Sequence, residues 1–266
     1  MTGLSGLPLS GGRRFGVSPS FIDVLAELGP QPSSHQAVGP QSAAPLSIPH
    51  GTTIIGLKFE SGVVMAGDRR STEGYSIADD KIEKVFQADD YSAVSIAGAA
   101  GQAIEIVRLF QIELEHYEKV EGERLSLEGK ANRLAQMIRS NFPMALQGLV
   151  VVPLFGGYDE RRGEGRLFRY DATGGRWEEE DFMSTGSGGR PAKSTLKKRW
   201  RAGLARDEAL RVVVEALRDA SEEDVATGGP DPVRGLWPTV RLITSAGVEE
   251  VDDEEVRAAY ESLVAG

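Results

Sequence analysis

The chain contains no cysteine, only three histidines, and no apolar run close to the length of a bilayer. The first absence excludes disulfides, thiol nucleophiles and cysteine-ligated metals together, and it fits a reducing compartment such as the cytoplasm. The histidines do not form a site. His35 and His50 lie among breaker residues, His116 falls late on an amphipathic stretch, and no HExxH or other ligand spacing occurs, so neither a histidine metal site nor a Ser-His triad has support. A G-x-S-x-G nucleophile elbow is also missing. A membrane-spanning helix needs about 20 apolar residues, and no segment supplies them. The first residues lack a basic region followed by an unbroken apolar run, so they do not read as a secretory signal.

What is present is an acidic chain of 266 residues, 40% hydrophobic and 26% charged, with a formal net charge of −10. That balance is ordinary for a globular protein and argues against nucleic acid or an anionic membrane as a partner. Composition divides the chain at about residue 51. Residues 1–51 hold one short apolar stripe, "PSFIDVLAELG", and are otherwise rich in Pro, Ser and Gly. They read either as a terminal tail or as a removable propeptide.

From Thr53 onward the periodicity becomes regular. "TTIIGLKF" and "VVMAGD" predict strands joined at Glu60-Ser61-Gly62, with "KIEKVFQ" and "YSAVSIAG" as two more. The period then becomes helical, with Ile104, Val107, Phe110, Leu114 and Tyr117 on one face. A second helix is expected from Ser126 as N-cap to Phe142, stopped by Pro143. Strands over "GLVVVPLFGGYD", "GRLFRYD" and "RWEEEDFMSTG" follow, then helices over "AKSTLKKRW" and "RDEALRVVVEALRDAS". The chain closes with "PTVRLITSAGVEEV" and a helix, "DDEEVRAAYESLV". Segregated runs of strands and helices point to α+β architecture: two antiparallel sheets flanked by helical layers.

Two local patterns invite chemistry. "GSGGRPAKST" resembles a phosphate loop, but Ala192 stands where that loop requires glycine before Lys193-Ser194. "HGTTIIG" raises a different possibility. A threonine hydroxyl is a weak nucleophile without an adjacent base. Were the Gly51–Thr52 bond cut, Thr52 would gain an α-amine with a pKa near ~8, able to act as that base. Gly51 has no side chain to obstruct attack on its own carbonyl. On spacing alone, Gly-Thr-Thr is weak evidence for this, and a turn into a strand is the preferred reading.

Taken in order, "HGTTIIGLKFESGVVMAGDRRSTEGY", "KIEKVF", "SIAGAAGQA", "STGSGG" and "EEDVATGGPDPVRG" resemble the motifs of proteasome β-subunits, most closely the bacterial 20S form, over essentially everything from Gly51 to the last helix. The resemblance implies the four-layer αββα fold of N-terminal nucleophile hydrolases. It implies a propeptide over 1–51, removed autocatalytically, and a catalytic domain over 52–266. Motif by motif it implies Thr52 as nucleophile, with Asp68 and Lys84 beside it. It also implies Ser187 and Asp224 supporting the threonine amine, Thr227 as an accompanying hydroxyl, and the Gly98 N–H as oxyanion donor. Ser71, Thr72, Gly98 and Ala100 would line an extended substrate, with Ile96 and Ala100 shaping the primary pocket. The resemblance further implies a threonine endopeptidase without metal or organic cofactor, in the cytoplasm. Its partners would be a homo-oligomeric, heptameric β-ring stacked with α-subunit rings, an ATPase ring, and tagged protein substrates. Two alternatives lie close by: a catalytically silent ring subunit, and the related sixfold two-ring protease, whose chain is shorter and has little propeptide.

Overall fold

The computed structural model describes residues 51–73 and 76–265. The expected propeptide therefore lies outside the described residues, apart from Gly51.

The strands are β1 (Thr53–Phe59), β2 (Gly62–Gly67), β3 (Ser71–Glu73), β4 (Ser76–Asp79), β5 (Val85–Asp89), β6 (Ser92–Gly98), β7 (Val151–Asp159), β8 (Glu164–Tyr170), β9 (Arg176–Glu179), β10 (Phe182–Gly186), β11 (Thr239–Thr244) and β12 (Gly247–Glu250). The helices are α1 (Ala100–Glu121), α2 (Leu127–Ser140), α3 (Phe142–Ala145), α4 (Gly189–Arg199), α5 (Arg206–Glu223) and α6 (Asp253–Val264). One five-stranded sheet runs β10-β1-β2-β11-β12 and the other β5-β6-β7-β8-β9, all neighbours antiparallel, with β3-β4 as a separate hairpin.

Three apolar cores stack these elements into four layers. Because side chains alternate along a strand, each sheet buries both faces. Ile55, Leu57 and Phe59 of β1 pack with Leu210, Val213 and Leu217 of α5, whereas Ile54 lies with Leu154 and Leu167 of the opposite sheet. On the far side, Val94 and Ile96 of β6 meet Val107 and Phe110 of α1 and Leu134 and Ile138 of α2. The order is helices, sheet, sheet, helices, an α+β sandwich of the N-terminal nucleophile hydrolase type.

Several boundaries differ from the sequence-based expectation, each for a local reason. Pro143 does not simply stop α2. That helix ends at Ser140, and Pro143 sits in the first turn of the short α3, where its missing N–H has no helical partner to lose. "RWEEEDFMSTG" is two strands rather than one. The chain bends at Glu180-Asp181, and the Asp181 carboxylate accepts from the Phe182 N–H at 2.7 Å. β9 thereby pairs with β8 in one sheet and β10 with β1 in the other. The strand expected over "KIEKVFQ" starts only at Val85, and β3-β4 had no separate expectation.

Candidate active site

Thr52 stands immediately before β1, a strand hydrogen-bonded on both sides by β10 and β2, so its backbone is held by sheet rather than by loop. Its carbonyl accepts from the Ser187 N–H at 2.8 Å. Gly186 makes that approach possible. It has φ +100°, and a Cβ there would fall 1.9 Å from the Thr52 carbonyl oxygen. Gly51 is equally constrained by space, since a Cβ on it would lie 2.0 Å from the Ala226 Cβ. Thr72 Oγ1 accepts from the Gly51 N–H at 3.1 Å. With the junction so clamped, Thr52 Oγ1 donates to the Gly51 carbonyl oxygen at 2.7 Å.

Lys84 reaches this carbonyl from the other sheet, with Nζ at 3.5 Å. Its firm partners are Asp68 Oδ1 at 2.7 Å and the Arg70 carbonyl at 2.5 Å. Asp68 is wholly buried and Lys84 nearly so. The remaining capacity of the carboxylate is filled by three backbone donors, from Thr53 at 2.7 Å, Gly228 at 2.9 Å and Arg70 at 3.0 Å. Burial pushes the Lys84 pKa below its ordinary value of 10.5, with the Asp68 charge and hydrogen bond opposing. The ammonium is thus easier to deprotonate than a surface lysine.

A second polar group flanks the Thr52 nitrogen. The Thr52 N–H donates to Ser187 Oγ at 3.2 Å, and Ser187 Oγ donates to Asp224 Oδ2 at 2.5 Å. Thr227 Oγ1 donates to the same Asp224 oxygen at 2.6 Å. Ser187 follows β10 and Asp224 caps the C-terminus of α5, so the two come from elements far apart in sequence.

A cleft opens beside this cluster, lined by Gly51, Thr52, Ser71, Lys84, Ile96, Gly98 and Ala100, together with Ile82, Glu83, Ala103 and Ile104. Gly98 ends β6 with φ +114°, a conformation that suits only glycine. The structure therefore brings Thr52, Asp68, Lys84, Ser187, Asp224 and Thr227 into one hydrogen-bonded group and sets Ser71, Ile96, Gly98 and Ala100 along the adjoining cleft. Thr72 does not line that cleft; its hydroxyl holds Gly51. Sequence reasoning missed Ile82, Ala103 and Ile104 as wall residues. The helical spacing of 100, 103 and 104 was the available signal. It also missed Thr53, whose hydroxyl lies 2.6 Å from that of Thr227. No group of three or more His, Cys, Asp or Glu suited to a metal occurs among the described residues. No helix among them is long and apolar enough to cross a membrane.

The two antiparallel sheets flanked by helices form the α+β sandwich of the N-terminal nucleophile hydrolase fold. The sequence profile of the family described as "Proteasome subunit" matches residues 48–233. The chain is 57% identical over 220 residues to a protein named proteasome subunit beta from Acidimicrobium ferrooxidans, covering 82% of this chain and 81% of that one. It is 53% identical over 247 residues to the protein of that name from Streptomyces griseus, covering 93% and 88%. A third such protein, from Frankia casuarinae, is 50% identical over 249 residues, covering 92% and 89%. The chain belongs to the proteasome subunit family, among the β-subunits of the bacterial form. Membership makes it a protease subunit of a multi-subunit particle.

Proposed function

We propose that this chain is a threonine endopeptidase made as a zymogen, whose residues 1–51 leave by self-cleavage and whose new N-terminus, Thr52, performs acyl transfer. The observation that carries this reading is the 2.7 Å contact between Thr52 Oγ1 and the carbonyl oxygen of Gly51, with a buried lysine converging on the same oxygen.

In the uncut chain the Thr52 nitrogen is an amide and cannot serve as base. Lys84, with its pKa lowered by burial, is the nearby group able to take the hydroxyl proton. Oxygen Oγ1 then bonds to the Gly51 carbonyl carbon, the bond from that carbon to the Thr52 nitrogen breaks, and the nitrogen leaves with a proton. The Thr52 amine is then free, and water hydrolyses the resulting ester, which places a carboxylate on Gly51 and releases the Thr52 hydroxyl. The same hydroxyl attacks substrate peptides in later turnovers, now with the amine as proton acceptor. Ser187 and Asp224 orient that amine. Asp68 balances the Lys84 charge, whose burial would otherwise be very costly. The Gly98 N–H is the donor for the developing oxyanion.

The cleft beside Thr52 receives the residue before the cut, and Ile82, Ile96, Ala100, Ala103 and Ile104 favour an apolar side chain there. Substrate lies extended along Ser71 and Gly98 by strand addition. The particle is a heptameric β-ring stacked with α-rings in the cytoplasm, supplied with tagged proteins by an ATPase ring. Enclosure of the sites explains how a peptidase of low specificity is tolerated there. The deciding experiment is Thr52→Ala. The assembled variant should retain residues 1–51 and have no peptidase activity. A variant that sheds its leader unaided, or still cuts peptides, overturns the proposal.

A further inference from the structure

We infer that Thr53, the neighbour of the proposed nucleophile, is a positioning residue that locks the proton order of the Asp224 network and thereby the orientation of the Thr52 amine. The inference rests on the threonine-peptidase reading above. Alternation along β1 sends the two adjacent threonines to opposite faces. Thr52 faces the cleft. Thr53 has no solvent exposure and lies on the α5 side with Ile55 and Leu57.

There its hydroxyl has two polar neighbours. Gly188 N–H donates to Thr53 Oγ1 at 3.1 Å, and Thr227 Oγ1 lies 2.6 Å away. The direction of this last bond follows from the proton inventory. A hydroxyl has one proton, and Thr227 spends its own on Asp224 Oδ2. Thr53 must therefore donate to Thr227. The chain reads Gly188 N–H to Thr53, Thr53 to Thr227, Thr227 to Asp224, and from the other side Thr52 N–H to Ser187 and Ser187 to Asp224. On the Thr53 side each proton has one destination, so the carboxylate that accepts from Ser187 also accepts from a hydroxyl fixed in direction; Ser187 Oγ itself has a second, longer acceptor, the Thr52 carbonyl at 3.3 Å. The bonds of Thr53 to Gly188 and Thr227 are buried, and linked hydrogen bonds strengthen one another in such a setting.

Gly188 supplies independent support. Its φ of −86° is open to any residue, so its backbone does not require glycine. Space does. A Cβ at 188 would lie 2.5 Å from Thr53 Oγ1 and 2.6 Å from Thr227 Oγ1, on top of the hydroxyl pair. The local packing is built around these two oxygens.

The test compares Thr53→Val, which keeps the shape and removes the hydroxyl, with Thr53→Ser, which restores it. Rates are measured on assembled particles and normalised to subunits whose mass shows Thr52 first. Thr53→Val should lower kcat about tenfold with KM unchanged, the scale of a misoriented catalytic group. Thr53→Ser should return kcat to within about twofold of native. In a Thr227→Val background, Thr53→Val should cost little more, because the chain is already broken. A native kcat in Thr53→Val, or losses that multiply fully in the double variant, overturns the inference. Should Thr53→Val fail to assemble, Thr53→Cys, with its weaker donor, takes its place, and an unchanged kcat overturns the inference equally. These failures are distinct from that of the peptidase reading, which falls only if Thr52→Ala particles still cut peptides.

Discussion

Two buried cations in this molecule are treated in opposite ways. Arg166, on β8, has a side chain only 3% exposed and faces three carboxylates: Glu178 at 2.7 and 2.5 Å, Glu128 at 2.7 Å and Asp159 at 3.0 Å. The hydrogen bonds it donates to Glu178 head the causes that drive its pKa upward, and a guanidinium does not lose its proton in a protein. Lys84 is buried to a similar degree but has a single carboxylate, Asp68, with two backbone carbonyls as its other neighbours. Burial wins there, and its pKa falls. Three carboxylates make Arg166 a structural tie, whereas Lys84, with one, suits the proton-accepting role proposed for it. The two differ in ligand count, three carboxylates against one.

That contrast can be broken by exchanging the losses. The largest effect is expected from Lys84→Met, which keeps the stem and removes the amine. Its kcat/KM should fall about 10³-fold, within the range of a lost general base. Stability should fall far less, because Asp68 keeps its three backbone donors. Arg166→Met should do the reverse. It takes one cation from three carboxylates, of which Glu128 keeps Arg176 as a close partner, and should cost about 3 kcal/mol of unfolding free energy, with kcat per assembled subunit near native. Arg166→Lys keeps the charge but loses the two-pronged bond to Glu178 and should cost about 1 kcal/mol in a denaturant titration. A large activity loss in either Arg166 variant, with assembly intact, would erase the distinction.

The titration behaviour sharpens it. Because the folded pKa of Lys84 is below its unfolded value, the folded chain binds fewer protons there between the two values. Its burial penalty is therefore full at lower pH and is relieved as pH rises toward 10.5. The unfolding free energy of native protein relative to Lys84→Met should rise with pH across that alkaline window. A flat or falling difference contradicts the burial account. The smallest effect belongs to Glu178, whose pKa is held below 4.5, first by its hydrogen bonds to Arg166. Its contribution is present above pH 4.5 and is lost as pH falls through the folded value. Arg166→Met should flatten that acid limb in a thermal melt.

Much of this was legible before any coordinates. The strand-like runs "TTIIGLKF" and "VVMAGD" marked β1 and β2, although Gly62, expected in the turn between them, opens β2, and the helical spacing of Val107, Phe110 and Leu114 marked the buried face of α1. Thr52 could be raised from "HGTTIIG" alone, but Asp68, Lys84, Ser187 and Asp224 were nameable only through resemblance, because their meeting depends on long-range pairing that no local period encodes. The break at Glu180-Asp181 was illegible for the same reason: the two halves of an unbroken strand-like run belong to different sheets. Thr53 was hidden differently. A threonine in a strand ordinarily signals nothing but strand propensity, and its partners Thr227 and Gly188 lie more than a hundred residues away.

The most direct measurement is the intact mass of the subunit from purified particles that are cleaving peptide, with sequencing of its first residues. The account predicts a chain that begins Thr52-Thr53-Ile54, with all of 1–51 gone. Active particles in which the Gly51–Thr52 bond is still closed in every subunit would contradict it.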